Sequence, residues 1–109
     1  MEIEFLYFED CPSHGPALER LRELLRREGL KADVRITRVE TDEEARRLDF
    51  PGSPTIRVDG RDIDPGGAAA SPVGLSCRVY RTPDGRFSPL PPEELIRKAL
   101  RRADGRTGD

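Results

Sequence analysis

Cys11 is the residue most suited to chemistry in this chain, because it lies in the sequence Cys11-Pro12-Ser13-His14. The residues before it are apolar and aromatic, as in a buried strand, and those after Pro16 follow the period of an amphipathic helix. Unpaired N–H groups and the positive end of the dipole at a helix N-terminus favour thiolate over thiol. Cys11 is therefore the first candidate nucleophile.

Three other side chains are candidates for the same chemistry, and each has a second interpretation. His14, the one histidine, is a proton carrier or hydrogen-bond partner for the Cys11 thiolate, or a solvated surface residue. Cys77 is a partner for Cys11, or a small side chain that packs in an apolar alternation with Val79. Arg78 holds a thiolate or an anionic thiol such as glutathione by its charge, or faces solvent.

Length and charge limit the classes of protein to which the chain can belong. Its 109 residues predict one domain over residues 1–103 and a loose tail over 104–109. The net charge of −2 comes from interleaved acidic and basic residues, so no nucleic-acid partner is expected. No apolar run is long enough to span a membrane, and the N-terminus lacks the features of a signal peptide. We therefore expect a cytoplasmic protein, in which two cysteines indicate redox, catalytic or metal chemistry rather than a structural disulfide.

The elements that must position these residues are predicted from apolar periodicity and turn residues. In chain order they are a buried strand over 3–8, a helix after Pro16 that ends at Gly29, a partly exposed strand over 33–39, a short helix capped by Thr41 with Glu44, a strand over 55–58, a tight turn at Asp59-Gly60, a return strand over 61–64, extended segments at 77–81 and 86–88, and a final helix that starts at Pro91. The Gly- and Ala-rich residues 65–76 lack a period and predict a flexible loop. Asp62 and Asp64 are interpreted as surface charges.

This order of elements resembles the thioredoxin-like fold in its short, glutaredoxin-sized form. Residues 11–14 stand in the place of the family's Cys-x-x-Cys motif, residues 50–55 in the place of its cis-proline segment, and residues 58–60 at the following hairpin. The resemblance covers nearly the whole chain. It implies an α/β three-layer sandwich with a four-stranded mixed sheet, flanking helices and an inserted loop or hairpin before the last helix. It also implies a cis Ser53-Pro54 bond beside Cys11, although only about 5–6% of X–Pro bonds are cis.

The resemblance further implies a function. His14 stands where the family has its resolving cysteine, which excludes a Cys-x-x-Cys disulfide cycle, and the topology of the fold brings residues 74–78 to the same end as Cys11. The chain then looks like a thiol-based redox protein, a possible thiol–disulfide oxidoreductase without cofactor. In it the Cys11 thiolate exchanges with disulfides or other soft electrophiles, and Cys77 resolves the product. Pro12, Ser53 and Pro54 would present backbone to the partner, which is a small thiol or a protein disulfide.

Two alternatives remain open. The ending over residues 74–96 has a looser likeness to small bacterial proteins of this fold that are named with alkylmercury lyases. That likeness raises handling of a soft metal or an organomercurial by Cys11 and Cys77. The other alternative is a noncatalytic binding module that keeps the fold. A structural zinc site is not predicted, because Cys11, His14 and Cys77 supply only three ligands.

Overall fold

The predicted strands near Cys11 form one mixed sheet in the computed structural model, which describes residues 1–105. The strands are β1 (Glu2–Tyr7), β2 (Asp33–Arg38), β3 (Thr55–Val58) and β4 (Arg61–Asp62), in the order β2-β1-β3-β4. Strand β1 pairs parallel with β2 and antiparallel with β3, and β3 pairs antiparallel with β4. The mixed α/β class and the four-stranded mixed sheet expected from the sequence are confirmed.

The helices and a small second sheet complete the chain. The helices are α1 (His14–Arg27), α2 (Asp42–Arg47), α3 (Pro65–Ala70) and α4 (Glu93–Ala103), and the second sheet is the hairpin of β5 (Tyr80–Arg81) and β6 (Phe87–Ser88). Each predicted strand is therefore present, including the second hairpin. Helix α1 begins two residues before Pro16, which its first turn accommodates because N–H groups there need no partner within the helix.

Alternation along β1 separates two apolar clusters. Ile3 and Phe5 belong to the cluster that includes the buried residues of α1 and α4, whereas Leu6 packs with Phe50 and with Ala45 of α2. Successive side chains of a strand point to opposite faces, so the two clusters lie on the two sides of the sheet. The central strand is thus buried on both faces, as its apolar sequence predicts.

Local signals at the helix ends and the hairpin are confirmed. The Thr41 hydroxyl accepts the Glu44 N–H at 3.1 Å, as the predicted cap requires. Gly29 follows α1 with φ of 65°, and the turn between β3 and β4 has positive φ at both Asp59 and Gly60. These left-handed positions are the reason for glycine after the helix and for Asp-Gly in the tight hairpin.

The prediction of a structureless loop over residues 65–76 is wrong in its first half. Residues 65–70 form α3, because the Asp64 carboxylate accepts the Gly67 N–H at 3.2 Å and Pro65 occupies the start of the helix. Composition suggested a loop, but the cap and the proline outweigh the low helix propensity of two glycines. Helix α3 follows β4 in the chain and precedes the segment that carries Cys77.

Two further expectations concern the C-terminus and membranes. Asp104 is the C-cap of α4 and the Gly105 N–H donates to Arg102 O, while residues 106–109 of the predicted loose tail lie outside the described residues. Across residues 1–105, no helix has the length and apolar character needed to cross a membrane.

Candidate functional site

Cys11 lies in the turn between β1 and α1, and its side chain is fully buried at 0% exposure. Its backbone N–H donates to Phe8 O at 3.0 Å, which fixes the turn. Ser13 is the N-cap residue of α1, but its hydroxyl caps no helix N–H. The hydroxyl instead lies 3.1 Å from the Cys11 sulfur. The hydroxyl of Ser13, at a position where it would normally stabilise the start of the helix, is therefore hydrogen-bonded to the thiol of Cys11.

The surroundings of the Cys11 sulfur favour the thiolate. Burial raises the pKa of Cys11, but hydrogen bonds from the Ser13 side chain and backbone, then from the Cys77 thiol and the Ser53 side chain, outweigh it and leave the pKa below its ordinary value. One contact acts the other way, because the Cys11 thiol donates to Ser53 O at 3.4 Å and this favours the neutral form. The Ser53 hydroxyl is buried and has no hydrogen-bond partner, so it is available to donate to the sulfur when Cys11 ionises, which is how it lowers the pKa of Cys11.

The Ser53-Pro54 bond is cis, as the resemblance implies, and Ser53 lies beside Cys11. The backbone N–H and C=O groups of Ser53, however, already have hydrogen-bond partners within the chain. The Ser53 N–H donates to Ser76 O, and Ser53 O accepts the Arg78 N–H, both at 2.8 Å. Ser53 and Cys77 thereby form a short parallel bridge. The backbone expected to bind a thiol partner is occupied by the chain's own residues 76–78.

Cys77 reaches the same end of the sheet as Cys11, as predicted, and both cysteines are free. The interpretation of Cys77 and Val79 as packed apolar residues is wrong: both are exposed, while Arg78 and Tyr80 are buried. The hydrogen bond with Cys11 raises the pKa of the Cys77 thiol, as do partial burial and the negative charge of Cys11. One thiol of the pair is therefore easier to ionise and the other harder.

Arg78 is buried, and its guanidinium binds residues of the sheet rather than the Cys11 sulfur. Its two terminal nitrogens donate to the two carboxylate oxygens of Asp62, each at 2.8 Å. The same nitrogens also donate to Thr55 Oγ1 at 3.2 Å and Asp64 O at 3.1 Å. The side chains of Arg78 and Asp62 are 0% and 10% exposed. The expected contact of Arg78 with an anionic thiol, and the surface position expected of Asp62, are both replaced by this ion pair.

The segment around Cys77 is bound on both sides of the cysteine. After it, the Tyr80 hydroxyl donates to Pro54 O at 2.5 Å, and the Arg78 guanidinium stacks 4.5 Å from the centre of the Tyr80 ring. Before it, the Gly74 N–H donates to Phe50 O at 3.2 Å. The segment also lies close to Gly52, where a Cβ would stand 3.1 Å from Arg78 Cβ. Cys77 is thus carried by a fixed segment and not by a loose loop.

His14 and Pro12 lie at the edge of this site. The imidazole of His14 stacks on the Tyr7 ring with centroids 4.6 Å apart, and its backbone N–H faces Cys11 O at 3.5 Å. The hydrogen bonds of the Cys11 sulfur go to serine residues and not to the imidazole. Pro12 is exposed between the two. A proton-carrying role for His14 stays a prediction.

Sequence reasoning missed Ser13 and Asp62. A serine two residues after a cysteine, at a predicted helix start, was a usable signal, because its hydroxyl can reach either the helix N–H groups or the sulfur. Asp62 carried no such signal. Its partner Arg78 is 16 residues away, and only the tertiary structure joins them.

Replacing the hydroxyl that contacts the sulfur should raise the pKa of Cys11. In a Cys77→Ser background, where one thiol titrates, Ser13→Ala removes a hydrogen bond that stabilises the thiolate, so the midpoint of thiolate formation should move to higher pH. Ultraviolet absorbance of the thiolate measures it. Ser76→Ala, which removes an exposed hydroxyl, is the matched control and should leave the midpoint unchanged. If Ser13→Ala and Ser76→Ala gave the same midpoint of thiolate formation, the Ser13 hydroxyl would not be the group that lowers the pKa of Cys11.

Breaking the buried ion pair should destabilise the protein strongly. Asp62→Asn leaves the buried Arg78 charge uncompensated, and removing one partner of such a pair costs about 3–5 kcal/mol. Urea unfolding measures the change. Glu94→Gln, which breaks an exposed ion pair with Arg97, should alter the free energy of unfolding little. A similar small effect from Asp62→Asn would show that the pair does not anchor the segment.

Across residues 1–105, no three or more His, Cys, Asp or Glu side chains are grouped so that they could hold a metal ion. Comparison of the chain with protein-family models, with curated proteins and with solved structures finds no match.

Proposed function

We propose that this protein exchanges thiols and disulfides, with Cys11 and Cys77 as one redox pair on a thioredoxin-like fold. The observation that carries the proposal is the thiol arrangement itself. The sulfur of the buried Cys11 contacts Ser13 and Ser53, hydrogen bonds lower its pKa, and Ser53 is bridged to the second free cysteine, Cys77. Low-pKa cysteines that neighbour a second thiol are typical of disulfide exchange.

The architecture supports the thioredoxin-like part of the proposal. The strand order β2-β1-β3-β4, with one parallel and two antiparallel pairings, is the mixed sheet that the resemblance implies. The cis Ser53-Pro54 bond precedes β3 and lies against Cys11, as the resemblance also implies. Helices α1 and α4 pack with one apolar cluster of the sheet and α2 with the other.

The reaction proposed for the pair is a two-electron exchange. A disulfide RS–SR′ is reduced to two thiols while Cys11 and Cys77 lose two protons and two electrons and form an S–S bond. In the reverse direction, the Cys11–Cys77 disulfide is reduced by two external thiols. The partner is a small disulfide or a protein disulfide. The compartment that suits two free cysteines is the reducing cytoplasm.

The hydrogen bonds around Cys11 assist both directions. A thiolate stabilised by Ser13 and Ser53 is present at lower pH, and it is also a better leaving group when the disulfide opens, because sulfurs of low pKa leave faster. Both effects depend on donors aimed at the sulfur rather than on a nearby cation. Dilute salt should therefore affect them little, unlike attraction between exposed charges.

Oxidation of the whole chain with a small disulfide tests the proposal. Incubation with oxidised glutathione should give a protein two hydrogens lighter, with peptides that contain Cys11 and Cys77 joined. Cys77→Ser and Cys11→Ser, the matched single-thiol variants, cannot form that link. Mass spectrometry before and after proteolysis measures both.

Two results would contradict the proposed function. One is a wild-type chain that keeps one or two glutathione adducts and never forms the internal disulfide. The other is an absence of the disulfide combined with tight binding of one mercuric ion per chain that either single variant abolishes. That second result would select the soft-metal alternative.

A further inference from the structure

We propose that the substrate sulfur joins Cys77 first and that the buried Cys11 then attacks Cys77 to release the product. This inference rests on the proposed function and reverses the order that the resemblance implies, in which Cys11 attacks first. It assigns Cys77 as the substrate-facing catalytic residue. Cys11 becomes the internal base and the second nucleophile.

Accessibility is the first argument. The side chain of Cys11 is 0% exposed, whereas Cys77 is exposed. Attack on a disulfide requires the nucleophilic sulfur to approach in line with the S–S bond, and this needs open space in front of it. In the structure, Cys77 is exposed and Cys11 is not.

The attachment of the Cys77 segment is the second argument. Cys11 would become accessible if residues 76–78 moved away, but Ser53 holds both Ser76 and Arg78 through backbone hydrogen bonds at 2.8 Å. The buried pair of Arg78 with Asp62 holds the same segment through its side chain. Moving the segment would therefore break the backbone hydrogen bonds of Ser53 and the ion pair together. An order of reaction in which the segment stays in place is favoured.

The protonation of the two thiols sets a condition on this order. The pKa of Cys11 lies below its ordinary value and that of Cys77 above it, so the Cys77 proton moves to the Cys11 thiolate only together with the attack and not before it. As the proton passes to Cys11, the Cys77 sulfur attacks RS–SR′, the Cys77–SR bond forms, and R′S⁻ leaves. Cys11 then gives up that proton to solvent and attacks the Cys77 sulfur. The Cys11–Cys77 bond forms and RS⁻ leaves, so the pair is oxidised and RS–SR′ is reduced.

The surroundings of each sulfur suit these separate tasks. The serine hydroxyls around Cys11 stabilise its charge before the first step and again as it forms in the second. The second step occurs within the chain, because Cys77 is bridged to Ser53, whose carbonyl contacts the Cys11 sulfur, so it needs no outside access to Cys11. Exposed residues alternate with buried ones at 77–80, and Cys77 is one of the exposed residues.

A bulky aromatic disulfide, 5,5′-dithiobis(2-nitrobenzoate), tests the order with the two single-thiol variants. Cys11→Ser should form a stable mixed disulfide on Cys77 at the rate of an ordinary exposed thiol. Cys77→Ser, and also Cys77→Val, should form one on Cys11 at least about tenfold more slowly, because Cys11 is buried. The released chromophore gives the rates. Urea unfolding confirms that each variant is folded, and unfolded chains should react equally.

The outcomes distinguish failure of the proposed order, in which Cys77 reacts before Cys11, from failure of the proposed function. If Cys77→Ser and Cys77→Val react as fast as Cys11→Ser or faster, Cys11 receives the substrate first, and the inference is wrong while the redox pair stands. If the wild type keeps one adduct on Cys77 and releases only one chromophore, the pair does not form, and the proposed function and the inference both fail. Slow reaction of the Cys77 variants, with two chromophores released from wild type, supports both.

Discussion

The buried ion pair of Arg78 and Asp62 is the interaction on which the geometry of this site depends. It joins the segment that carries Cys77 to the edge strand of the sheet through two hydrogen bonds of 2.8 Å. Burying both charges is costly, and the Nε of Arg78 is left without a partner, so apolar side chains of the same size would stabilise the fold as well or better. The contribution of the pair is to hold the Cys77 segment in place. Together with the backbone hydrogen bonds of Ser53, it fixes the position of Cys77 relative to Cys11.

Around Cys11, too, side chains are placed for their contact with the sulfur at a cost in local stability. Ser13 occupies a helix cap and leaves it unmade, and Ser53 buries a hydroxyl that has no partner. Each departure has a cost in stability, and each places a donor near one sulfur. The Thr41 hydroxyl caps α2, whereas the hydroxyls of Ser13 and Ser53 depart from such rules beside the same sulfur. Such clustering is expected of a site selected for chemistry.

Sequence patterns predict most of the strands and helices but few of the side-chain contacts that build the site. Alternation, caps and the Asp59-Gly60 turn act over a few residues, so the sheet and hairpins could be predicted from local sequence. The wrong interpretations share a cause. The sequence offers a contact with an anionic thiol or solvent for Arg78 and the surface for Asp62, because a buried charge is rare and the partner of each lies far away in sequence. The second interpretation of Cys77, packing with Val79, rests on their being the apolar members of the alternation, but the ion pair buries Arg78 and leaves Cys77 and Val79 exposed.

The central claim is that the ion pair holds Cys77 against Cys11, and the effective concentration of one thiol toward the other measures this directly. Equilibration of the folded chain with reduced and oxidised glutathione gives that concentration from the fraction with the internal disulfide. For Asp62→Asn, studied where it remains folded, the value should fall at least about tenfold relative to wild type, while Glu94→Gln keeps the wild-type value. An unchanged effective concentration in folded Asp62→Asn would contradict the claim.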